Sequence, residues 1–276
     1  MANPLVIYHG KCLDGMTAAW AVRRALGDGD YMPADYGVVP PDVTGREVVI
    51  VDFSYRREVM EEMAVKAKSL LVLDHHKSAQ ADLVGLTYAI FDMERSGAGL
   101  AWDWFHPGRS RPALVEMVED GDLWRHALPD TREFQLRLTM EPMDFSAWDR
   151  VANLSEQELQ TYIKEGGLLK RSFDKDVGNL LADRYAVTLS GEVGLAVNAP
   201  GMFTSELGND LAQLSGTFGM VWRQVGENIK VSLRSCGDYD VAVLAGKFGG
   251  GGHRNAAAFT LPATPENYTI VNVRSD

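Results

Sequence analysis

The sequence predicts an α/β protein, and three observations carry that prediction. Short apolar runs recur through the first half at Pro4–Tyr8, Glu47–Phe53 and Ser69–Leu73, and they are continuous rather than alternating. Continuous apolar strands belong to parallel sheets covered on both faces. Helical patterns separate these runs, as crossover connections between parallel strands require. The composition is globular, with 46% hydrophobic and 24% charged residues over 276 positions, enough for more than one core.

In chain order, the strand at Pro4–Tyr8 is followed by an Ala-rich helix over Gly15–Leu26. The strand Glu47–Phe53 precedes a helix over about Arg56–Ala67. After Ser69–Leu73 a fourth strand is expected at Thr87–Phe91, before a helix near Ala98–Phe105. Residues 151–185 are charged and helical in pattern, with Ser155 and Glu158 spaced as a capping box and Gly166-Gly167 as an interruption. Beyond them, strands are expected at Val187–Asn198, Gly219–Val225, Ile229–Ser235 and Tyr268–Val273, with helices at Ser205–Leu214 and opening at Asp240. The expected organisation is an N-terminal parallel-sheet domain (1–150), a helical linker (151–185) and a smaller α/β domain (186–276).

Charge narrows the function. Lys and Arg number 27 against 38 Asp and Glu, a net of −11, the wrong sign for a protein that coats long nucleic acid. An anionic ligand remains compatible if it is short, or if bound cations supply the positive charge. Cys12 and Cys236 are too few for a disulfide framework or zinc ribbon. No apolar stretch has membrane-spanning length, and no basic region precedes the first apolar run, so a soluble, cytoplasmic chain is expected.

Ligands of parallel sheets bind at the carboxyl ends of the strands. Here those ends carry His9, Cys12 and Asp14, then Asp52, then Asp74, His75 and His76. A mixed His/Asp set suits manganese, iron or zinc. Asp14 alone reads first as a turn former or helix cap. Asp52 closes an apolar run where an unpaired carboxylate is costly, and tandem histidines are poor turn formers. Glu119, Asp120 and Asp122 close a helical pattern against the helix dipole, which a cation would offset; solvated surface acids are the competing reading.

The second half offers Phe248–Phe259, FGGGGHRNAAAF. Four successive glycines, Gly249–Gly252, do not stabilise helix or strand, and they let backbone N–H groups approach an anion. His253 and Arg254 follow, able to stack on a base or clamp a phosphate. The strand before it sets Lys230, Ser232 and Arg234 on one face. A hairpin tip and an exposed edge strand are the plainer alternatives.

Asp74-His75-His76 at a strand end, an upstream strand-end aspartate and a distal GGGGH loop together resemble the DHH-type phosphoesterases that carry the DHH-associated C-terminal domain. The resemblance covers essentially the whole chain. It implies an N-terminal lobe binding one or two Mn2+ ions and a C-terminal lobe holding substrate. It implies His9 and Asp52 as ligands of one metal, and Asp14, Asp52, His75 and Asp120 as ligands of the other. Asp120 rather than Asp122 matches the family's fourth motif by its distance before Trp124, with Asp122 and Cys12 as further candidates. His76 would face the phosphate and Asp74 would orient the histidines. Arg234, Ser235, Gly250, Gly251, Gly252, His253 and Arg254 would hold substrate. One departure stands out: most relatives have an aspartate where this chain has Cys12, a softer ligand that favours zinc or iron.

The activity so implied is metal-dependent hydrolysis of linear dinucleotides or very short oligoribonucleotides (nanoRNA) to mononucleotides, in a chain that leaves room for a homodimer. Family alternatives are a nucleotide phosphomonoesterase, a cyclic-dinucleotide phosphodiesterase or an exopolyphosphatase. A catalytically silent nucleotide-binding module is the alternative of another class. Of the 38 acidic residues, 30 precede Ala186, on the side where the metals are expected.

Overall fold

The computed structural model describes residues 4–35 and 37–272. The chain divides into two compact units, residues 1–170 and 171–276. The first unit contains β1 (Leu5–His9), α1 (Leu13–Leu26), β2 (Asp30–Ala34), β3 (Glu47–Val51), α2 (Arg57–Lys66), β4 (Ser69–Asp74), α3 (Lys77–Asp82) and β5 (Ala89–Phe91). It continues through α4 (Gly97–Phe105), α5 (Ala113–Asp122), α6 (Thr131–Leu138) and α7 (Phe145–Ala152) and ends within α8 (Glu156–Ala182). The five strands form one parallel sheet in the order β2-β1-β3-β4-β5.

Both sheet faces are covered, which is why the strands read as continuous apolar runs. Val6, Val51 and Leu73 pack with Trp20 of α1 and with α4 and α5 on one face. Leu5, Ile7, Ile50 and Val72 pack with Phe53 and Met60 on the other. Polar anchors fix α7 onto α1: Trp148 Nε1 donates to Thr17 Oγ1 at 2.8 Å and Trp20 Nε1 to Asp149 Oδ1 at 2.8 Å.

Three sequence expectations change in this unit. The strand β2 was not expected, because DYMPA is polar and carries a proline; it is tolerated at the sheet edge. The expected strand at Thr87–Phe91 shortens to Ala89–Phe91. Gly166-Gly167 does not break α8; a Cβ on Gly166 would lie 1.9 Å from Glu133 O, so the glycine permits close packing of an unbroken helix. The capping box forms as expected, with Ser155 N donating to Glu158 Oε2 at 2.8 Å and Glu158 N to Ser155 Oγ at 3.4 Å.

The second unit holds β6 (Tyr185–Leu189), β7 (Glu192–Asn198), α9 (Thr204–Ser215), β8 (Phe218–Val225), β9 (Asn228–Ser235), α10 (Val241–Gly246), β10 (Gly251–His253), β11 (Ala256–Pro262) and α11 (Pro265–Asn272). Its sheet runs β10-β11-β9-β8-β7-β6, antiparallel except between β7 and β8. The expected single strand Val187–Asn198 is a hairpin, because Ser190 and Gly191 both take positive φ, 51° and 88°, and turn the chain. The expected strand Tyr268–Val273 is helical as far as described, with Val273 outside the described residues; Pro265 opens that helix. Two of the four loop glycines sit in the edge strand β10. Gly252 has φ 142°, and a Cβ there would lie 2.4 Å from Ala256 O, so the strand closes on β11 only because this position has no side chain.

Candidate metal centre

The first unit gathers its chemistry at the carboxyl edge of the parallel sheet. His9 ends β1, Asp52 follows β3, and Asp74 ends β4 with His75 and His76 behind it. Asp52 is buried and has φ 54°, a left-handed conformation that aspartate tolerates better than most residues. That turn aims its carboxylate along the edge. Oδ1 lies 3.2 Å from His75 Nε2, and Oδ2 lies 3.5 Å from His9 Nδ1. His75 Nε2 is also 3.7 Å from Asp14 Oδ2 and 3.6 Å from Asp122 Oδ2. The His9 and His76 ring centres are 5.9 Å apart, and those of His75 and His76 are 4.9 Å apart.

Asp74 organises rather than joins this group. Its Oδ1 accepts from His75 N at 2.7 Å and His76 N at 3.2 Å, and lies 2.7 Å from His76 Nδ1. Its Oδ2 accepts from Ser54 Oγ at 2.9 Å. The fully buried carboxylate therefore fixes both the tandem-histidine backbone and the His76 ring. Despite burial, which opposes the charge, these hydrogen bonds hold Asp74 below the usual carboxylate range and raise His76.

Asp14 is held from the far side. Its two oxygens accept from Gly97 N at 2.6 Å and Ala98 N at 2.9 Å, the amino end of α4. Ser96 caps the same helix by accepting from Gly99 N at 3.2 Å. A Cβ on Gly97 would come within 2.3 Å of Asp52 Cβ, so that residue must be glycine for the two carboxylates to approach. The sequence reading did not single out Ser96 or Gly97. The signal was present as a serine cap before the small run Gly97-Ala98-Gly99.

The acidic triplet closing α5 divides into three tasks. Glu119 is buried, pairs with Arg111 Nη1 at 2.7 Å and accepts from Ser96 N at 3.1 Å, which steadies the turn before α4. Asp120 accepts from Ala127 N at 2.9 Å, Leu128 N at 3.2 Å and Thr131 Oγ1 at 2.5 Å. Those bonds saturate its carboxylate and tie down the loop after α5. The expectation that Asp120 is the ligand is therefore corrected: Asp122 reaches the cluster and Asp120 does not. A helix places residues two apart on different faces, so sequence distance alone does not say which of the two carboxylates turns toward the cluster.

Three donor groups result, each with ligand atoms within 4.8 Å of one another: His9, Cys12 and Asp52; Asp52, His75 and His76; and Asp14, His75 and Asp122. Asp52 belongs to two of them. Burial and the neighbouring carboxylates push Asp14 well up and Asp122 up to about 6. Burial and the Asp52, Asp122 and Asp14 charges likewise push up the Cys12 thiol. His75 is raised to about 10 against the effect of burial, by its hydrogen bond to Asp52 and by the Asp122 and Asp14 charges. Despite burial, His75 and His9 hold Asp52 well below the usual carboxylate range. A site crowded with carboxylates holds protons when no cation neutralises it. Asp52 Oδ2 is buried and, apart from the 3.5 Å approach of His9 Nδ1, has no hydrogen-bond partner among the described residues, which leaves it able to face a cation. The donor chemistry and this orphaned oxygen fit divalent metal.

In the second unit, Arg234 extends under α9, with Nη2 donating to Ser205 Oγ at 3.2 Å and Nη1 to Leu233 O at 3.0 Å. Lys230, Ser232 and Arg234 share one face of β9, while Ile229, Val231 and Leu233 are buried on the other. Ser235 is buried and donates to Tyr239 O at 2.6 Å while accepting from Asn255 Nδ2 at 3.0 Å. Its hydroxyl, expected to contact substrate, thus braces the hairpin turn through these two bonds. Arg254 is exposed and pairs with Asp238 at 3.0 Å. Gly250 precedes β10, Gly251 and His253 lie in it, and His253 is opposite Ala256.

The fold and the centre define a two-unit α/β protein with a carboxylate–imidazole cluster on a parallel-sheet edge. The DHHA1 domain family model matches residues 193–272. An uncharacterised protein of Acanthamoeba polyphaga mimivirus is 31% identical over 93% of this chain and 67% of its own length. A cyclic-di-AMP phosphodiesterase of Geobacillus thermodenitrificans is 24% identical over 78% of the chain, which spans only 33% of that protein. Among solved structures, a pGpG-specific phosphodiesterase of Vibrio cholerae superposes with a TM-score of 0.52 at 16% identity, covering 97% of this chain and 96% of that one. The DHH domain of a member of a ribosomal-protein family gives 0.55 at 15% identity, over 93% and 82%. The chain belongs to the DHH family of phosphoesterases that carry the DHH-associated C-terminal domain. Among the described residues, no helix is long and apolar enough to cross a membrane.

Proposed function

We propose that this protein hydrolyses the phosphodiester bond of linear dinucleotides or very short oligoribonucleotides, releasing mononucleotides, with Mn2+ at the carboxylate-rich position. The observation that carries the reading is the Asp52 carboxylate, buried and directed at two donor groups, one oxygen toward His75 and the other toward His9. Asp14, Asp52, His75 and Asp122 would hold one cation, and His9 and Asp52 the other. Bound divalent cations supply neutralisation of phosphate charge and an acidified water.

The chain's own residues do the rest. Asp74 fixes the His76 ring by its 2.7 Å contact with Nδ1, and Nε2 would donate a proton or hydrogen bond to a phosphate oxygen. Family resemblance assigns substrate holding to Arg234, Ser235, Gly250, Gly251, Gly252, His253 and Arg254. The names of two relatives, a pGpG phosphodiesterase and a cyclic-di-AMP phosphodiesterase, support a small nucleotide substrate, for which a cytoplasmic setting is the natural one. The net charge of −11 agrees with a short ligand rather than a long polymer.

The test is hydrolysis of a length series of oligoribonucleotides, with cyclic dinucleotides and polyphosphate alongside, under Mn2+. Turnover peaking at two nucleotides, and abolished in Asp52→Ala, is expected. Equal rates on long strands would overturn the substrate assignment, and full activity of Asp52→Ala would overturn the site.

A further inference from the structure

We propose that Cys12 is a metal ligand, and that the position it shares with His9 and Asp52 selects a softer divalent cation, Zn2+ or Fe2+, over Mn2+. The proposal rests on the metal-dependent reading above and not on the identity of the substrate. Two independent observations carry it. The sulfur of Cys12, a ring nitrogen of His9 and a carboxylate oxygen of Asp52 lie within 4.8 Å of one another, the spread of a ligand set around one ion. Separately, Asp52 Oδ2 is buried without a hydrogen-bond partner among the described residues, on the His9 side of the carboxylate.

Cys12 stands at the cap of α1 with an extended backbone, φ −123° and ψ 137°, its sulfur beside the Gly15 N–H of the first turn. The two metal positions then differ in kind. Asp14, Asp52 and Asp122 with the single imidazole of His75 make an oxygen-rich, hard set. The set of His9, Cys12 and Asp52 offers sulfur, nitrogen and oxygen once each. Thiolate ligands draw zinc and ferrous iron away from manganese, while carboxylates accept manganese readily. The geometry therefore points to a centre with one hard and one soft position, joined by the Asp52 carboxylate.

The experiment uses the full chain, stripped of metal and titrated with Co2+. A sulfur-to-cobalt charge-transfer band in the near ultraviolet is expected, absent from Cys12→Ser, a substitution that α1 should tolerate because serine is a favoured cap. Loss of a direct ligand should weaken Zn2+ binding at least about tenfold, since even outer partners of a ligand are worth that much. A second measurement on the unmodified chain guards against a misfolded variant. Stoichiometric Zn2+ should slow alkylation of Cys12 at least about tenfold, because a metal-held sulfur is withdrawn from attack, while the exposed Cys236 reacts unchanged. Cobalt bound without the band, or Cys12 alkylated at the same rate with and without Zn2+, overturns the proposal. Dinucleotide hydrolysis is measured on the same samples. Turnover without the band refutes only the Cys12 assignment, and the band without turnover of any oligonucleotide refutes only the proposed function.

Discussion

Asp120 and Asp122 sit two residues apart and are expected to fail in opposite ways when replaced. Asp120 accepts three hydrogen bonds at a buried position, from Ala127 N, Leu128 N and Thr131 Oγ1. Hydrogen bonds to a charged group contribute roughly 1.5–3 kcal/mol each, and non-additivity within one carboxylate brings the total for Asp120→Ala to about 3–5 kcal/mol. At about 2–4 °C per kcal/mol, its melting temperature should fall on the order of 10 °C. Asp122 accepts nothing comparable and sits beside Asp52 and Asp14. Its carboxyl, pushed by burial and by Asp52 to about 6, keeps its proton in the folded state at pH values where the unfolded chain has lost it. The folded state thus binds the extra proton, so stability falls as pH rises from about 4 to about 6. The full shift of about two units corresponds to about 3 kcal/mol, and solvent around a side chain 27% exposed reduces this to about 1 kcal/mol. Metal-free Asp122→Asn should therefore match the parent in stability below about pH 4 and be slightly more stable at pH 8, yet lose Mn2+ affinity and metal-stimulated turnover. Thermal unfolding at two pH values, with Mn2+ titration by calorimetry, reads both variants. A destabilised Asp122→Asn that still binds Mn2+ like the parent would refute the reasoning.

Two further predictions follow from the same geometry. Gly97→Ala places a Cβ 2.3 Å from Asp52 Cβ and 2.8 Å from Asp14 Oδ2, so overpacking should cost about 1–3 kcal/mol and metal affinity should fall about 10–100-fold; an unchanged Mn2+ isotherm would show that α4 does not set the carboxylate spacing. Asp74→Asn should lower the titration of the His76 ring, followed by NMR on metal-free protein, because the carboxylate that raises it is gone. In the parent, that pairing contributes stability complete below the ordinary histidine value, about 6.5, and lost as pH rises through the raised folded value. A His76 titration unmoved by the substitution would sever the Asp74 link.

The alternating order of strands and helices, the parallel sheet and the His- and Asp-bearing strand ends were legible in the linear sequence because each depends on local rules. An apolar run followed by a polar strand end says where a residue falls relative to a sheet edge, and His9, Asp52, Asp74, His75 and His76 were found that way. The hairpin at Ser190-Gly191 was equally local but was hidden inside an apolar run. What the sequence could not state was which carboxylate faces inward at the end of α5. That depends on how α5 packs beside α4 and on the loop that captures Asp120, contacts made by residues 7 to 11 positions further on. Ser235 depends on packing in the same way, since its hydroxyl is claimed by Tyr239 and Asn255 only once the hairpin has formed.

The amino-acid sequence by itself determined the fold class, the family and the chemical kind of centre, because strand periodicity, strand-end residues and donor types are properties of the chain. Only the tertiary structure decided that Asp122 rather than Asp120 joins His75, that α4 supplies the backbone donors for Asp14, and that Cys12 shares a position with His9 and Asp52. These are distances between segments far apart in the chain, and packing rather than spacing fixes them.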